Sequence, residues 1–261
     1  MNAETYGNPT GLFSIIGDRE SQQDSAGSCS DHDGRLLLAV LCDGMGGLQD
    51  GEKASSAAVD LMLGHIRQEP PASVADSGDW LRRQMIAADG AVSSLKEGED
   101  GMPGTGSTCV AVISDGRYFV WASVGDSSIR LIRRGQMVTL TRQHNYFLKL
   151  DEMLAGGEIT EEEYRRRSPR GNALISFLGK GDLTLIDVSE PVAWEEGDYL
   201  LLCSDGLYKS LTDEQMLAIV DEAGGDARIA AERLCREAYR LARHSQDNTT
   251  VILIPFSGGT A

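Results

Sequence analysis

Several things are missing from this chain, and each absence removes a class of function. No apolar run in its 261 residues approaches the ~20 residues that a membrane-spanning helix needs. Residues 1–11 lack the basic-then-apolar pattern of a secretory leader, so a cytoplasmic protein without a membrane span is expected. Cysteine is scarce: five residues without paired spacing offer no disulfide framework. Cys42 and Cys203 fall in apolar runs and read as small buried residues. Cations are outnumbered, 24 Lys+Arg against 40 Asp+Glu, for a net charge of −16. Such a balance does not suit a nucleic-acid backbone, which needs cationic contacts, so no nucleic acid partner is expected. There is no internal repeat and no Gly-x-Ser-x-Gly elbow. Gly179-Lys180 is not a phosphate loop: Leu174 stands where the first glycine belongs, and Gly181 replaces the hydroxyl residue.

What the chain does have is apolar residues enough for a core, at 41%, set out largely as strands. The length alone fits one large domain or two small ones. Residues 36–41 form a buried-strand run that carries Asp43 to its end. Gly44, Gly46 and Gly47 then let the backbone approach closely whatever Asp43 holds. A carboxylate beside a bare carbonyl is a hard-oxygen pair, suited to Mg²⁺ or Mn²⁺. Asp205 follows a second apolar run, 199–203, and Asp247 precedes a third, 251–254. Three carboxylates far apart in sequence thus stand at strand edges, able to converge.

Taken in order, a strand is expected at 12–17, then a polar loop with Asp18, Arg19 and Asp24. A short strand at 26–29 pairs with 35–43. Helical spacing covers 50–66, ended by Pro70-Pro71, and 80–95. A glycine-rich acidic loop spans 97–106. Two hairpins follow, 108–113 with 118–124 around Asp115-Gly116, and 129–132 with 137–140 around Arg134-Gly135. From 143 to 179 strand patterning stops and charged helical pieces appear, as in an inserted subdomain. Strands return at 183–188, 199–203 and 248–254. Thr212 opens a helix, with Gln215 as its capping-box partner, and 227–242 is a long helix. Two packed sheets flanked by helix pairs is the simplest layered solution, an α+β fold.

Asp43-Gly44-Met45-Gly46-Gly47, Gly125-Asp126-Ser127, Ser204-Asp205-Gly206 and Asp247-Asn248, in this order, resemble the metal-dependent protein phosphatases of the 2C type. Arg19 with Asp24 resembles that family's N-terminal arginine-plus-acid motif. Gly157-Glu158-Ile159-Thr160 through Pro169-Arg170-Gly171-Asn172, then Leu178-Gly179, resembles the flap of its bacterial members. The similarity runs from about Gly17 to Ile254. It implies a four-layer α-β-β-α sandwich of two antiparallel sheets, one domain over 11–256, and a flap over 144–180.

The resemblance also implies roles. Asp43 would bridge two Mn²⁺ or Mg²⁺ ions. Gly44 would give its carbonyl to one, Asp205 and Asp247 would bind the other, and Asp24 would hold a metal water. A water shared by the ions would attack phosphoserine or phosphothreonine directly. Arg19 would grip the phosphate oxygens. Asp126 is either a ligand for a third, weaker ion or a turn-capping residue. His144 reads as structural. Arg165 to Arg167 are a solvated flap face or a contact for acidic substrate. The implied partners are phosphorylated proteins and an opposing Ser/Thr kinase. Gln23 stands where many relatives have Glu, Met45 where many eukaryotic ones have His, Ser128 for a common Arg, and Gln143 for a common acid. None removes an expected ligand, so an active enzyme is expected over a silent phosphopeptide-binding module. Cys29 and Arg35 have the spacing of a thiol phosphatase loop, but Asp31 and Asp33 between them would repel both phosphate and thiolate.

Overall fold

The computed structural model describes residues 10–46, 50–95 and 105–256. Gly47 and residues 97–104 of the expected acidic loop lie outside them. The chain opens with β1 (Gly11–Ile15), β2 (Asp24–Ser30) and β3 (Leu37–Met45), then α1 (Asp50–Gln68) and α2 (Ser77–Ser94). β4 (Gly106–Ser107), β5 (Cys109–Ser114), β6 (Tyr118–Val124), β7 (Ser128–Arg133) and β8 (Gln136–Thr139) follow. The insert carries α3 (Tyr146–Ala155) and α4 (Glu161–Arg167). Then come β9 (Asp187–Val188), β10 (Val192–Ala193), β11 (Tyr199–Cys203), α5 (Asp205–Tyr208), α6 (Asp213–Glu222), α7 (Ala227–Leu241) and β12 (Thr249–Pro255).

These strands make two antiparallel sheets. One runs β1-β12-β11-β7-β8, the other β10-β6-β5-β3-β2, with β9 on β6 and β4 on β3. Side-chain alternation explains why the strands read as unbroken apolar runs. In β3, Leu38, Val40 and Cys42 face the core under α1 and α2, whereas Ala39 and Leu41 face the space between the sheets. In β11, Leu200 and Leu202 meet them there, while Leu201 and Cys203 turn to the core under α6 and α7. Three apolar layers therefore separate four structural layers, helices, sheet, sheet and helices, as expected.

The local rules operate where the sequence placed them. Arg134 (φ 53) and Gly135 (φ 72) are both left-handed, the backbone that a two-residue hairpin turn demands. Thr212 and Gln215 close a capping box at the start of α6. The insert has its own box, Thr160 with Glu163, opening α4. It is fastened at its base: Leu178 and Ser107 exchange backbone hydrogen bonds, and Ile175 N–H donates to the His144 carbonyl.

Two expectations are corrected. Asp24 is not on a loop: it begins β2, which is longer than 26–29, and pairs opposite Asp43. Asp205 follows the end of β11 as expected, and it also opens the one-turn helix α5. Of 183–188 only Asp187 and Val188 are strand. Ile186 and Leu183 instead bury apolar surface against the α1/α2 core without a ladder partner. Apolar burial and strand pairing leave the same mark in a sequence.

Candidate metal and phosphate site

The site forms where β2, β3, α5 and the start of β12 meet. β3 delivers Asp43, and its backbone is fixed on both sides. Its N–H donates to the Thr108 hydroxyl at 2.9 Å; its carbonyl accepts from Thr108 N–H at 2.8 Å and from the Ser107 hydroxyl at 3.0 Å. Gly44 N–H donates to the Gln23 carbonyl at 3.0 Å. A Cβ on Gly44 would stand 2.0 Å from the Gly51 carbonyl oxygen. Glycine is therefore required for α1 to begin so close to the end of β3.

Asp24 faces Asp43 across the β2–β3 pair. Its Oδ2 accepts from the Ser204 hydroxyl at 2.8 Å. Its buried Oδ1 has no hydrogen-bond partner, although Thr250 lies near enough to ease its charge. Burial, helped by Asp205 and Asp247, pushes the Asp24 carboxyl up to about 7. Asp43 is held well above the ordinary carboxylate range by burial and by the charges of Asp24, Asp205, Asp126 and Asp247. Asp126 is raised to about 6, by burial first and then by Asp205. Five carboxylates from distant parts of the chain thus lie within one another's field.

They do not form a finished cage. Among the described residues no three His, Cys, Asp or Glu side chains stand close enough together to hold an ion. Asp205 is engaged by the Lys209 ammonium one helical turn on. Asp247 Oδ2 takes a 2.6 Å bond from Arg19 Nη2. The donor chemistry nonetheless fits a divalent cation. It offers hard oxygens only, excess negative charge, and a buried carboxylate oxygen lacking a partner.

Arg19 is brought to this end of the molecule by its loop. Asp18 N–H donates to the Gln246 carbonyl, and Asp18 Oδ2 accepts from Gln246 N–H at 2.8 Å. Asn248 holds the same loop, donating to the Ile16 and Ser21 carbonyls and accepting from Gln23 N–H. The Arg19 side chain remains more than half exposed, able to reach a ligand. Asp126 is set by its neighbours. His144, fully buried, accepts from Gly125 N–H at Nδ1 and binds Asp187 through Nε2. Tyr208 donates its hydroxyl to the Asp126 carbonyl at 3.0 Å. His144 is structural, as the sequence suggests.

Sequence reasoning missed Ser204 as the donor to Asp24, Thr108 as the anchor of Asp43, and Lys209 as the partner of Asp205. Only the last had a local signal, an acid and a lysine four residues apart, readable once Asp205 is known to lie on a helix. The thiol route fails here too. Cys29 is buried on β2 with its thiol pushed up by that burial, and Asp31 Oδ1 accepts from the Arg35 and Leu36 N–H groups. No helix of the described residues is long and apolar enough to cross a membrane.

Known proteins resemble this chain in sequence and in fold. Residues 14–228 match the family model described as Protein phosphatase 2C. Protein phosphatase PhpP of Streptococcus pneumoniae is 30% identical over 239 residues, covering 90% of this chain and 92% of its own. The solved serine/threonine phosphatase of S. agalactiae superposes with a TM-score of 0.81 at 28% identity, over 94% of this chain and 98% of its own. The catalytic domain of the phosphatase PstP, solved with 2 manganese ions, gives a TM-score of 0.73 at 25% identity, over 94% and 97%. The chain belongs to the protein phosphatase 2C family.

Proposed function

We propose that this protein serine/threonine phosphatase works through divalent cations, Mn²⁺ or Mg²⁺, held by Asp43, the Gly44 carbonyl, Asp205 and Asp247. Divalent metal dependence is general to the family. The choice of two ions, with Asp126 available to a third, is our reading of the residues. The observation that carries it is the mutual repulsion of Asp24, Asp43, Asp126, Asp205 and Asp247 at one end of the sheets. Burying carboxylates beside one another is costly, and a divalent cation entering the site would offset that cost.

When bound, the ions would lower the pKa of water and neutralise charge on the phosphoryl group. The chain's own residues do the rest. Arg19 presents its guanidinium fork to the phosphate oxygens, changing partner from Asp247 to substrate. Asp24, anchored by Ser204, orients water at the floor of the site. The five cysteines are buried and free, so none offers an accessible thiolate, and attack by water is the reading we favour. Met45 cannot donate a proton as a histidine could. Residues 11–256 act as one catalytic domain, with 144–180 as its flap, on phosphorylated proteins in the cytoplasm, opposing a Ser/Thr kinase.

The test is hydrolysis of p-nitrophenyl phosphate and a phosphothreonine peptide by metal-stripped protein with and without added Mn²⁺. Turnover restored by the ion is expected. Peptide binding without turnover would point to a silent binding module. A covalent phosphoryl adduct trapped on the protein would overturn attack by water.

A further inference from the structure

Beside the carboxylates opens a cleft of about 760 Å³. One wall is the stretch 206–214, from α5 into α6, and the other is 241–247, between α7 and β12. The walls are tied at the floor: the Ser210 hydroxyl donates to Gln246 Oε1 at 2.8 Å, and Gln246 Nε2 donates to the Gly206 carbonyl at 2.9 Å. Asp247 and Lys209 line the cleft, so it runs directly into the place proposed for the phosphate.

Most of its charges are already committed. Lys209 engages Asp205, Asp213 engages Arg130, and Asp247 engages Arg19. Glu214 sits in the first turn of α6, held by its own N–H and by Thr212. Arg243 and His244 remain. Both are exposed at the rim, and among the described residues neither has a carboxylate partner. In a chain of net charge −16, much of the surface repels an acidic polypeptide, and Arg243 offers it an unpaired cation at the rim of a cleft that reaches Asp247.

We propose that this cleft is the subsite for the polypeptide flanking the phosphorylated residue, and that Arg243, with His244, selects acidic side chains there. The proposal rests on the phosphatase reading above and goes further by assigning a sequence preference. Solvent-exposed ion pairs contribute little each, so a preference of about three- to tenfold in kcat/KM is expected for acidic over neutral flanks. It should fade at about 1 M salt, where the Debye length is only ~3 Å.

The experiment uses the full chain with Mn²⁺ and three phosphothreonine peptides of equal length, flanked by Glu, Ala or Lys. Wild type is expected to prefer Glu over Ala over Lys. Arg243→Gln should level that order, and Arg243→Glu should invert it, with the lysine peptide gaining in absolute kcat/KM. Damage to the fold cannot produce such a gain. Equal rates on all three peptides in wild type, or an order that survives both substitutions, would overturn the subsite alone. A wild type inert toward the peptides and toward p-nitrophenyl phosphate would overturn the phosphatase reading, and this one with it.

Discussion

Asp24→Asn exchanges a buried carboxyl for an amide of the same shape. The amide oxygen can still accept the Ser204 hydroxyl that now binds Oδ2 at 2.8 Å. What changes is the charge. In the folded, metal-free protein the Asp24 carboxyl is raised from 3.8 to about 7, chiefly by burial. Between those values the folded chain keeps a proton that the unfolded chain has released. Stability therefore falls as pH rises through that window, because the native state binds more protons than the unfolded one. Raising the carboxyl from 3.8 to about 7 corresponds to a loss on the order of 4 kcal/mol. Asparagine cannot ionise and avoids it. Urea unfolding of both proteins in EDTA should give equal stabilities near about pH 4, with the variant gaining up to about 4 kcal/mol by about pH 8. Asp43 is held up partly by the Asp24 charge, so its own titration moves back toward the ordinary range in the variant and adds to the gain, whereas His144 and Asp187 are common to both proteins and cancel in the difference. Parallel stability curves across the range would refute the electrostatic account of the site, and so would a wild type more stable than the variant at the alkaline end.

Asp247→Asn keeps the side-chain oxygen that accepts Asn248 N–H at 2.8 Å, so the melting temperature should barely move. Turnover should fall at least about tenfold, as for loss of a metal-site carboxylate, and calorimetry should show weakened Mn²⁺ binding; near-normal kcat at saturating Mn²⁺ would contradict the assignment. Gly44→Ala would drive a Cβ to 2.0 Å from the Gly51 carbonyl oxygen and 2.7 Å from that of Gln23. Forced separation of α1 from β3 should cost about 1–3 kcal/mol. Gly64→Ala, which meets nothing within 4 Å, should instead stabilise α1 by about 0.5–1 kcal/mol. Thermal melts of the pair decide the matter, and equal shifts would show that the close approach at Gly44 is unimportant.

The layered fold was legible because its causes are local. Strands buried on both faces must be apolar over their paired stretch, and β11, residues 37–42 of β3 and residues 251–254 of β12 are. Helices start at caps and stop at prolines, and these stand at Thr212, which opens α6, and at Pro70-Pro71, just past the end of α1. Asp43, Asp205 and Asp247 could be singled out because each borders such a run. Where they point, and what holds them, could not be read this way. β2 is largely serine and glycine, with no β-branched or aromatic signal, so nothing local puts Asp24 opposite Asp43.

The Asp24–Asp43 pair needs only the β2–β3 hairpin to reach one residue pair further than its apolar signal does. The grip of Arg19 on Asp247 and the support of Asp24 by Ser204 join residues remote in sequence, and they exist only after the two sheets close on each other. By itself the sequence determined which segments become strands and helices, because periodicity and capping are properties of neighbours along the chain. The tertiary structure alone decided how strongly the carboxylates repel. Coulomb energy depends on distances through space and on burial, and neither is defined until the layers have packed.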